Sequence, residues 1–225
     1  MPEITGFKIP NHDEKYMYAD ASVRDMGYGA KLQVVNGSTD EEFLSNIKAL
    51  CAEKINNSTF QALLYPAGAA FDGNSYVAQI WHNSDGSYIK IKAHGAVTTG
   101  EWHRVCYYNT WSDPEWDNPP MVFDVDYRTT QKWNGKSVYT KMVNCGYLSA
   151  VGSTKEYSHG ASATNIINST GTLSTGDALP YYNTKTEIEL SCTPNNIKIR
   201  TIAWEYTTPA VTDISATVQI WYTKN

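Results

Sequence analysis

The chain has 225 residues, 41% of them hydrophobic and 18% charged, with a formal net charge of −5. That balance belongs to a folded protein and excludes disorder, and the length allows one large β domain or two modest ones, each able to bury a core. Without a block of Lys or Arg there is no positive face to neutralise phosphates, so nucleic-acid binding is excluded, and no apolar run approaches the ~20 residues that cross a bilayer.

The polar share is carried by uncharged groups, 23 Thr, 17 Ser and 17 Asn, while 16 Tyr and 7 Trp dominate the aromatics. Thr and Tyr favour strands, and Asn, Ser and Gly favour the turns between them. The expected fold class is mainly β, a β-rich α+β chain. Residues 1–29 show no period, with Pro2, Gly6, Pro10 and Gly27 among isolated apolar residues, and read as a connector or shaft segment. The start lacks the basic-then-apolar pattern of a secretory signal.

A strand is predicted from Lys31 to Val35, ended by Asn36-Gly37. One helix follows. Ser38 and Thr39 are good N-caps, with Glu41 and Glu42 three residues on as capping-box partners. Phe43, Leu44, Ile47, Leu50 and Cys51 fall on one helical face. Asp40, Glu41 and Glu42 complement the positive end of the dipole, Lys48 and Lys54 lie nearer its negative end, and Asn56-Asn57 closes it. A helix with one apolar stripe must pack on a sheet, which the next segments supply: Phe60–Tyr65, Ser75–His82, Ser87–Ala93 and Glu101–Tyr108. Asp85-Gly86 marks a hairpin whose arms alternate apolar and polar residues.

Residues 30–112 thus form a small knob-like α+β domain. Trp111 to Pro120, WSDPEWDNPP, reads as a loop, because three prolines and three acidic residues break regular structure. Residues 113–126 are assigned to a linker, and residues 127–225 to an antiparallel β-sandwich. There, Asn134-Gly135 joins two strands tightly. Ile188, Leu190 and Cys192 share a face, as do Ile197 and Ile199, with a slip at Thr201 before Ile202 and Trp204 that predicts a bulge. In the last strand Val218, Ile220 and Tyr222 face one side, and Thr217, Gln219, Trp221 and Thr223 the other.

Cys51, Cys106, Cys145 and Cys192 are widely spaced with no C-x-x-C pair, and read as four buried thiols made in a reducing cytosol. His82, His94 and His103 stand singly on different predicted strands and are expected at the surface; no zinc or other metal set is predicted. Asp113, Glu115 and Asp117 recur at every second position, but an EF-hand loop wants Gly and Glu where Asn118 and Asp124 stand, so a solvated acidic loop is expected. Asp124 with Asp126, or Glu187 with Glu189, would share a strand face as a glycosidase pair might, yet Glu187 and Glu189 lie opposite the core residues and so in water. No G-x-S-x-G, H-E-x-x-H, P-loop or Cys–His signature is present, so neither catalytic residues nor a cofactor is expected.

Carbohydrate binding fits better. Sugars present apolar C–H faces and dense hydroxyls, which proteins meet with exposed rings and a few Asn, Asp and Tyr groups. Tyr107, Tyr108, Asn109, Trp111, Asp113, Trp116 and Asp117 bring that mixture together and form the candidate ligand site. The alternative is that Trp111 and Trp116 pin their loop to the core.

Tyr127 to Lys141, YRTTQKWNGKSVYTK, resembles a segment of the distal tail-fibre and receptor-binding proteins of bacteriophages and related tail-like particles. The likeness continues through Ser158-His159-Gly160 and ends in IWYTK, Ile220 to Lys224, covering roughly the last hundred residues. In the first domain the layout and the placement of Trp81, Trp102 and Trp111 resemble the knob domains of pyocin and phage tail fibres. The resemblance implies a non-catalytic receptor-binding tip that recognises a bacterial surface glycan or protein for host attachment. It implies a homotrimer joined to upstream fibre or baseplate components, on a virion assembled in the host cytoplasm and released by lysis. His159 would then be structural, bonding to backbone or lining a trimer contact. A virion-borne glycan hydrolase and a structural collar or decoration protein are the competing classes.

Overall fold

The computed structural model describes residues 33–54, 57–83, 85–96, 100–206 and 208–225. The connector expected over residues 1–29, with Lys31 and Asn56, lies outside the described residues. The chain is mainly β, with one α-helix among the described residues, and it divides into two compact units, one ending at Pro114 and the other beginning at Glu115.

Unit 1 is a sheet with a helix on one face. Strand β1 (Gln33–Asn36) runs parallel to β2 (Thr59–Tyr65), and β3 (Tyr76–His82), β4 (Tyr88–Gly95), β5 (Glu101–Tyr107) and β6 (Thr110–Trp111) follow antiparallel in chain order. Helix α1 (Asp40–Ala52) starts at the predicted cap: the Glu42 amide donates to Thr39 Oγ1 at 3.1 Å, and the Ser38 amide donates to Glu42 Oε2 at 2.7 Å. Two amides at the helix start, which no backbone carbonyl reaches, are thereby satisfied. Its C-terminal end differs from expectation, stopping at Ala52 with no basic residue in the last turn. Lys48 instead reaches the Asn109 side chain, Nζ to Oδ1 3.2 Å, and Lys54 sits over the Phe60 ring.

The helix buries Phe43, Leu44, Ile47 and Cys51, each apolar side chain contributing about 1.5–3 kcal/mol. Their counterparts are the inward residues of the strands, Ala62, Leu64, Ala78, Ile80, Ile89, Ile91 and Ala93. Trp102, Tyr76 and Phe71 pack edge-to-face at one end of that core. Arg104, also inward, donates bidentately to Asp40 at 2.7 and 2.9 Å and so ties β5 to the first turn of the helix. At the turn between β1 and α1, a Cβ on Gly37 would lie 2.4 Å from the Phe43 amide nitrogen, so only glycine fits.

Unit 2 is a two-sheet sandwich. One sheet runs β7 (Glu115–Asn118), β8 (Tyr127–Trp133), β9 (Lys136–Tyr147), β16 (Ser215–Thr223), β11 (Asn165–Leu173), β12 (Ala178–Leu179). The other runs β10 (Thr154–Ser158), β15 (Asn196–Ala203), β14 (Glu187–Cys192), β13 (Tyr181–Tyr182). Val143, Cys145, Val218 and Ile220 from the first sheet and Ile188, Ile197 and Ile199 from the second make one core. The predicted slip is a bulge: Glu187 pairs with Ala203 and Ile188 with Thr201, leaving Ile202 as the extra residue.

The stretch from Trp111 to Pro120 departs from the loop reading. Trp111 ends β6, and the residues between Pro114 and Pro119 form β7, which pairs parallel with β8 at Trp116 and Thr129. The prolines flank the strand rather than interrupt it.

Two substitutions test these turns. Gly37→Ala should destabilise unit 1 by roughly 2 kcal/mol or more, because the clash is with backbone and cannot be relieved by a rotamer change. Asn134 and Gly135 join β8 to β9 at φ 47° and 77°, the signs a type I′ hairpin turn requires. Gly135→Val should destabilise unit 2 by ~1–2 kcal/mol. Denaturant midpoints unchanged from the parent would refute either placement.

Candidate functional site

Period-two alternation gives the unit 1 sheet two faces. Residues 76, 78, 80 and 82 of β3 are buried on the helix side, so Val77, Gln79 and Trp81 point the other way. The same reasoning places Tyr88, Lys90 and Lys92 of β4 and His103, Val105 and Tyr107 of β5 on the outward face. Register then assembles an aromatic ladder. Tyr88 stands opposite Tyr107, with ring centroids 6.1 Å apart; Trp81 lies 5.4 Å from Tyr88, and Tyr108 4.5 Å from Tyr107. Every contact is edge-to-face, the arrangement the ring quadrupole prefers. Tyr107 is 59% exposed and Tyr108 72%. Lys90 pairs across from Trp81, and Lys92 lies next to it on the strand's outward side, held 3.1 Å from Glu101.

The turn carrying Tyr108 is strained. Tyr107 and Thr110 pair across a two-residue hairpin, so Tyr108 and Asn109 adopt φ 44° and 64°. Asn tolerates that region, but for a bulky ring it is an outlier costing on the order of 1 kcal/mol. Lys48 holds Asn109 from the helix side.

The seven residues predicted as a site do not form one cluster on one face. Tyr107, Tyr108 and Asn109 come together as expected. Trp111 pairs with Cys106, whose side chain is inward, and lies over the Arg104 guanidinium at 5.9 Å. The short strand β6 folds it back to the helix side of the sheet. Asp113 is exposed on the segment that leaves β6. Trp116 corrects the prediction most clearly: it is 1% exposed and packs edge-on against Tyr127 at 5.3 Å, so it offers no ring face to a ligand. Pairing with Thr129 of β8 sets it beside Tyr127, which covers it. Asp117, next in the strand, points outward in unit 2. Trp81 and Tyr88 were missed, although the Asp85-Gly86 hairpin and the alternation of its arms carried the signal for both.

Other chemistries resolve into structure. Glu115 faces Arg128 at 2.8 Å and Lys132 at 3.2 Å, which removes it from any calcium loop. No three His, Cys, Asp or Glu side chains among the described residues are grouped to hold a metal. His82 is buried rather than at the surface, with Nε2 3.3 Å from Ser58 Oγ and Nδ1 3.0 Å from the Asn83 carbonyl. His159 is buried too: its Nδ1 accepts from the Ala161 amide and its Nε2 donates to the Thr193 carbonyl, which fixes one neutral tautomer and a structural role. Cys51, Cys106 and Cys145 are buried and Cys192 half-buried, none of them in a disulfide. Burial, with Cys106 beside Cys51 and Cys192 beside Cys145, pushes the Cys51 and Cys145 thiols up to about 12, so both are protonated and unreactive at neutral pH.

Asp124 and Asp126 do not form a carboxylate pair on a strand face. Asp124 lies before β8 at φ 63°, whereas Asp126 accepts from Lys224 at 2.6 Å and lies 3.4 Å from Lys141. Lys224 also sits over the Tyr139 ring, 4.8 Å from its centroid, and Tyr139 stacks on Tyr222. Burial acting alone would raise the Asp126 carboxyl. The bond from Lys224, the Tyr222 hydroxyl and the two ammonium charges outweigh burial and hold it below the ordinary carboxylate range.

No protein-family model matches the chain, and no curated protein does. Among solved structures it is similar to an N-truncated R2-type pyocin tail fibre, at 6% identity and a TM-score of 0.26, covering 84% of this chain and 95% of that one. It is also similar to an R1 pyocin fibre of P. aeruginosa, at 8% identity and a TM-score of 0.26, covering 87% and 69%. Likeness this distant says nothing of what the chain binds.

The Asp126 cluster makes stability pH-dependent with a defined sign. A carboxyl held below its unfolded value of ~4 binds fewer protons folded than unfolded, so its contribution is full above that value and is lost as pH falls through the lowered one. Asp126→Asn should destabilise the protein by ~2–3 kcal/mol at neutral pH, because it leaves Lys141 buried opposite an uncharged amide. It should also flatten the loss of stability between about pH 5 and pH 2. Urea midpoints across that range check both; a parallel offset at every pH would show that Asp126 is not the titrating group.

Proposed function

We propose that the chain is the non-catalytic receptor-binding part of a fibre on a bacteriophage or tail-like particle, recognising a bacterial surface glycan or surface protein. The observation that carries this reading is the solvent-facing ladder of Trp81, Tyr88, Tyr107 and Tyr108 on the sheet face away from the helix. Tyr88 and Tyr107, in register, with Trp81 and Tyr108 on either side, present an aromatic surface to the apolar C–H faces of sugar units. Gln79 and Lys90, on the same face, offer donors to hydroxyl or acidic groups. The strain at Tyr108 supports the reading, since an exposed bulky residue kept in an unfavourable conformation is typical of a ligand contact.

The tail-fibre resemblance supports the same conclusion. Its segments, Tyr127–Lys141 and Ile220–Lys224, map to β8, β9 and β16, which are neighbours in one sheet. A homotrimer would present three copies of the ladder, and a linked second site sees an effective concentration near millimolar, which raises avidity by about 10²–10⁴. Weak single-site contacts suffice under those conditions.

Fluorescently labelled protein should bind host cells and be displaced by purified envelope polysaccharide. Tyr107→Ala should weaken that binding at least tenfold, since stacking on one ring is worth ~1–3 kcal/mol and avidity multiplies the loss. Tyr108→Asn should weaken binding while melting no lower than the parent, because asparagine tolerates the left-handed turn. Light scattering should return three times the 25.1 kDa chain mass. Release of reducing sugar from envelopes would instead make the protein a hydrolase, and labelling of virions but never cells would make it a decoration protein.

A further inference from the structure

Unit 2 contains a separate cavity of about 320 Å³ on the face of its larger sheet away from the sandwich core. Alternation in β16 generates its floor. Ala216, Val218, Ile220 and Tyr222 fill the core, so Gln219 and Trp221 point outward. Thr140 of β9 pairs directly with Trp221. The walls come from β7 and the residues after it, and from β8, whose Thr130 and Gln131 line one side.

The polar groups of the floor are fixed in advance. Thr140, 1% exposed, donates to the Ile220 carbonyl at 3.1 Å and accepts from Gln219 Nε2 at 3.0 Å. The Gln219 amide nitrogen also lies 3.7 Å from the Met121 sulfur. Its nitrogen is therefore spent on the wall, and the carbonyl oxygen is the atom it presents to a ligand. Around it stand the half-exposed Trp221 indole and the uncharged side chains of Asn118, Thr130 and Gln131. One lining residue is charged, the carboxylate of Asp117.

We propose that this cavity is a saccharide subsite that takes a neutral pyranose, distinct from the aromatic ladder of unit 1. An indole beside fixed amide and hydroxyl groups meets both surfaces of a sugar ring, the C–H face and the hydroxyl edge. The size is at the small end of ligand cavities, suited to one or two rings rather than a long chain. Charge selects within the class: a carboxylate at the rim accepts from hydroxyls but repels sialic acid, uronic acids and phosphosugars. The ladder, with Lys90 and Lys92 beside it, has no such bias. The biological meaning of the subsite rests on the attachment reading above, but its existence does not.

Saturation-transfer NMR on the full chain tests it, with glucose, galactose, N-acetylglucosamine, chitobiose and lactose as neutral probes and N-acetylneuraminic acid as the acidic one. At least one neutral probe should receive saturation, strongest at its ring C–H protons, and the acidic probe none. Trp221→Ala should weaken the titrated affinity at least tenfold. Because Trp221 lies on a central strand, Gln131→Ala serves as the second variant: it is exposed, should melt like the parent and should bind several-fold more weakly. Every measurement is made in a Trp81→Ala/Tyr107→Ala background, which removes two rings of the unit 1 ladder, so that the signal read is that of the unit 2 cavity. The proposal is overturned if no neutral probe binds, if both unit 2 variants bind like the parent, or if the acidic probe binds equally well. Cell binding by the unaltered protein is scored in parallel. A sugar signal without cell binding would sink the attachment reading and leave the subsite standing, and cell binding without a sugar signal would do the reverse.

Discussion

Unit 2 depends on the register of its last strand. β16 is hydrogen-bonded on both edges, to β9 and to β11, and its alternate residues supply the centre of the sandwich core. A slip of one residue would exchange Val218, Ile220 and Tyr222 for Thr217, Gln219 and Trp221, putting polar groups in the core and apolar ones in water. Hydrophobic burial alone opposes that slip over the length of the strand. The chain end adds a second constraint, because Lys224 reaches Asp126 only in this register, while Tyr222 stacks on Tyr139 beside it. Lys141 completes the cluster from the neighbouring strand. VYTK of β9 and WYTK at the end of β16 thus meet as one contact of aromatic rings and paired charges.

Features set by neighbours a few residues away were legible in the sequence. The capping box, the hairpin turns at Asp85-Gly86 and Asn134-Gly135, and the bulge at Ile202 depend on local backbone chemistry, and all stand where the sequence placed them. The faces of the closing strand were equally clear, since period two needs no knowledge of the partner. Trp111 and Trp116 were not legible, and the reason is physical. Each sits on a strand of two to four residues whose identity comes from pairing. Prolines at 114, 119 and 120 argue for a loop until Thr129 of a separate strand offers the partner for Trp116. Burial of His82 was hidden in the same way. Its inward position follows from alternation in β3, but the Ser58 and Asn83 groups that satisfy it belong to flanking segments.

That distinction moved the candidate site from a loop to a sheet, with consequences for recognition. Rings on a proline-broken loop would have to be ordered when a ligand arrives, at about 0.5–1.5 kcal/mol per side chain. Trp81, Tyr88 and Tyr107 project from hydrogen-bonded strands whose opposite faces are packed under the helix, so most of that ordering is complete before binding. Tyr108 extends the same row by occupying a turn that would be more comfortable with glycine or asparagine. Its strain is local, and the packing of the core beneath β5, with Arg104 anchored on Asp40, over-determines the turn that holds it.

Rigid, shallow contacts of this kind bind sugars weakly one at a time. A strained turn costing on the order of 1 kcal/mol is a large fraction of a single stacking contact, so it would be a poor trade in a protein acting through one site. It becomes tolerable when several copies act together, because each gain in ring placement is then multiplied across linked sites while the folding cost is borne once per chain. Exposed rings and a small open cavity would also exchange ligands quickly, since neither closes over its occupant. Reversible contact at each site with persistence of the whole is what a particle needs to sample a cell surface before it commits. In the attachment role proposed above, the unit 1 ladder and the unit 2 cavity would both act in that way, and each takes its geometry from strand register.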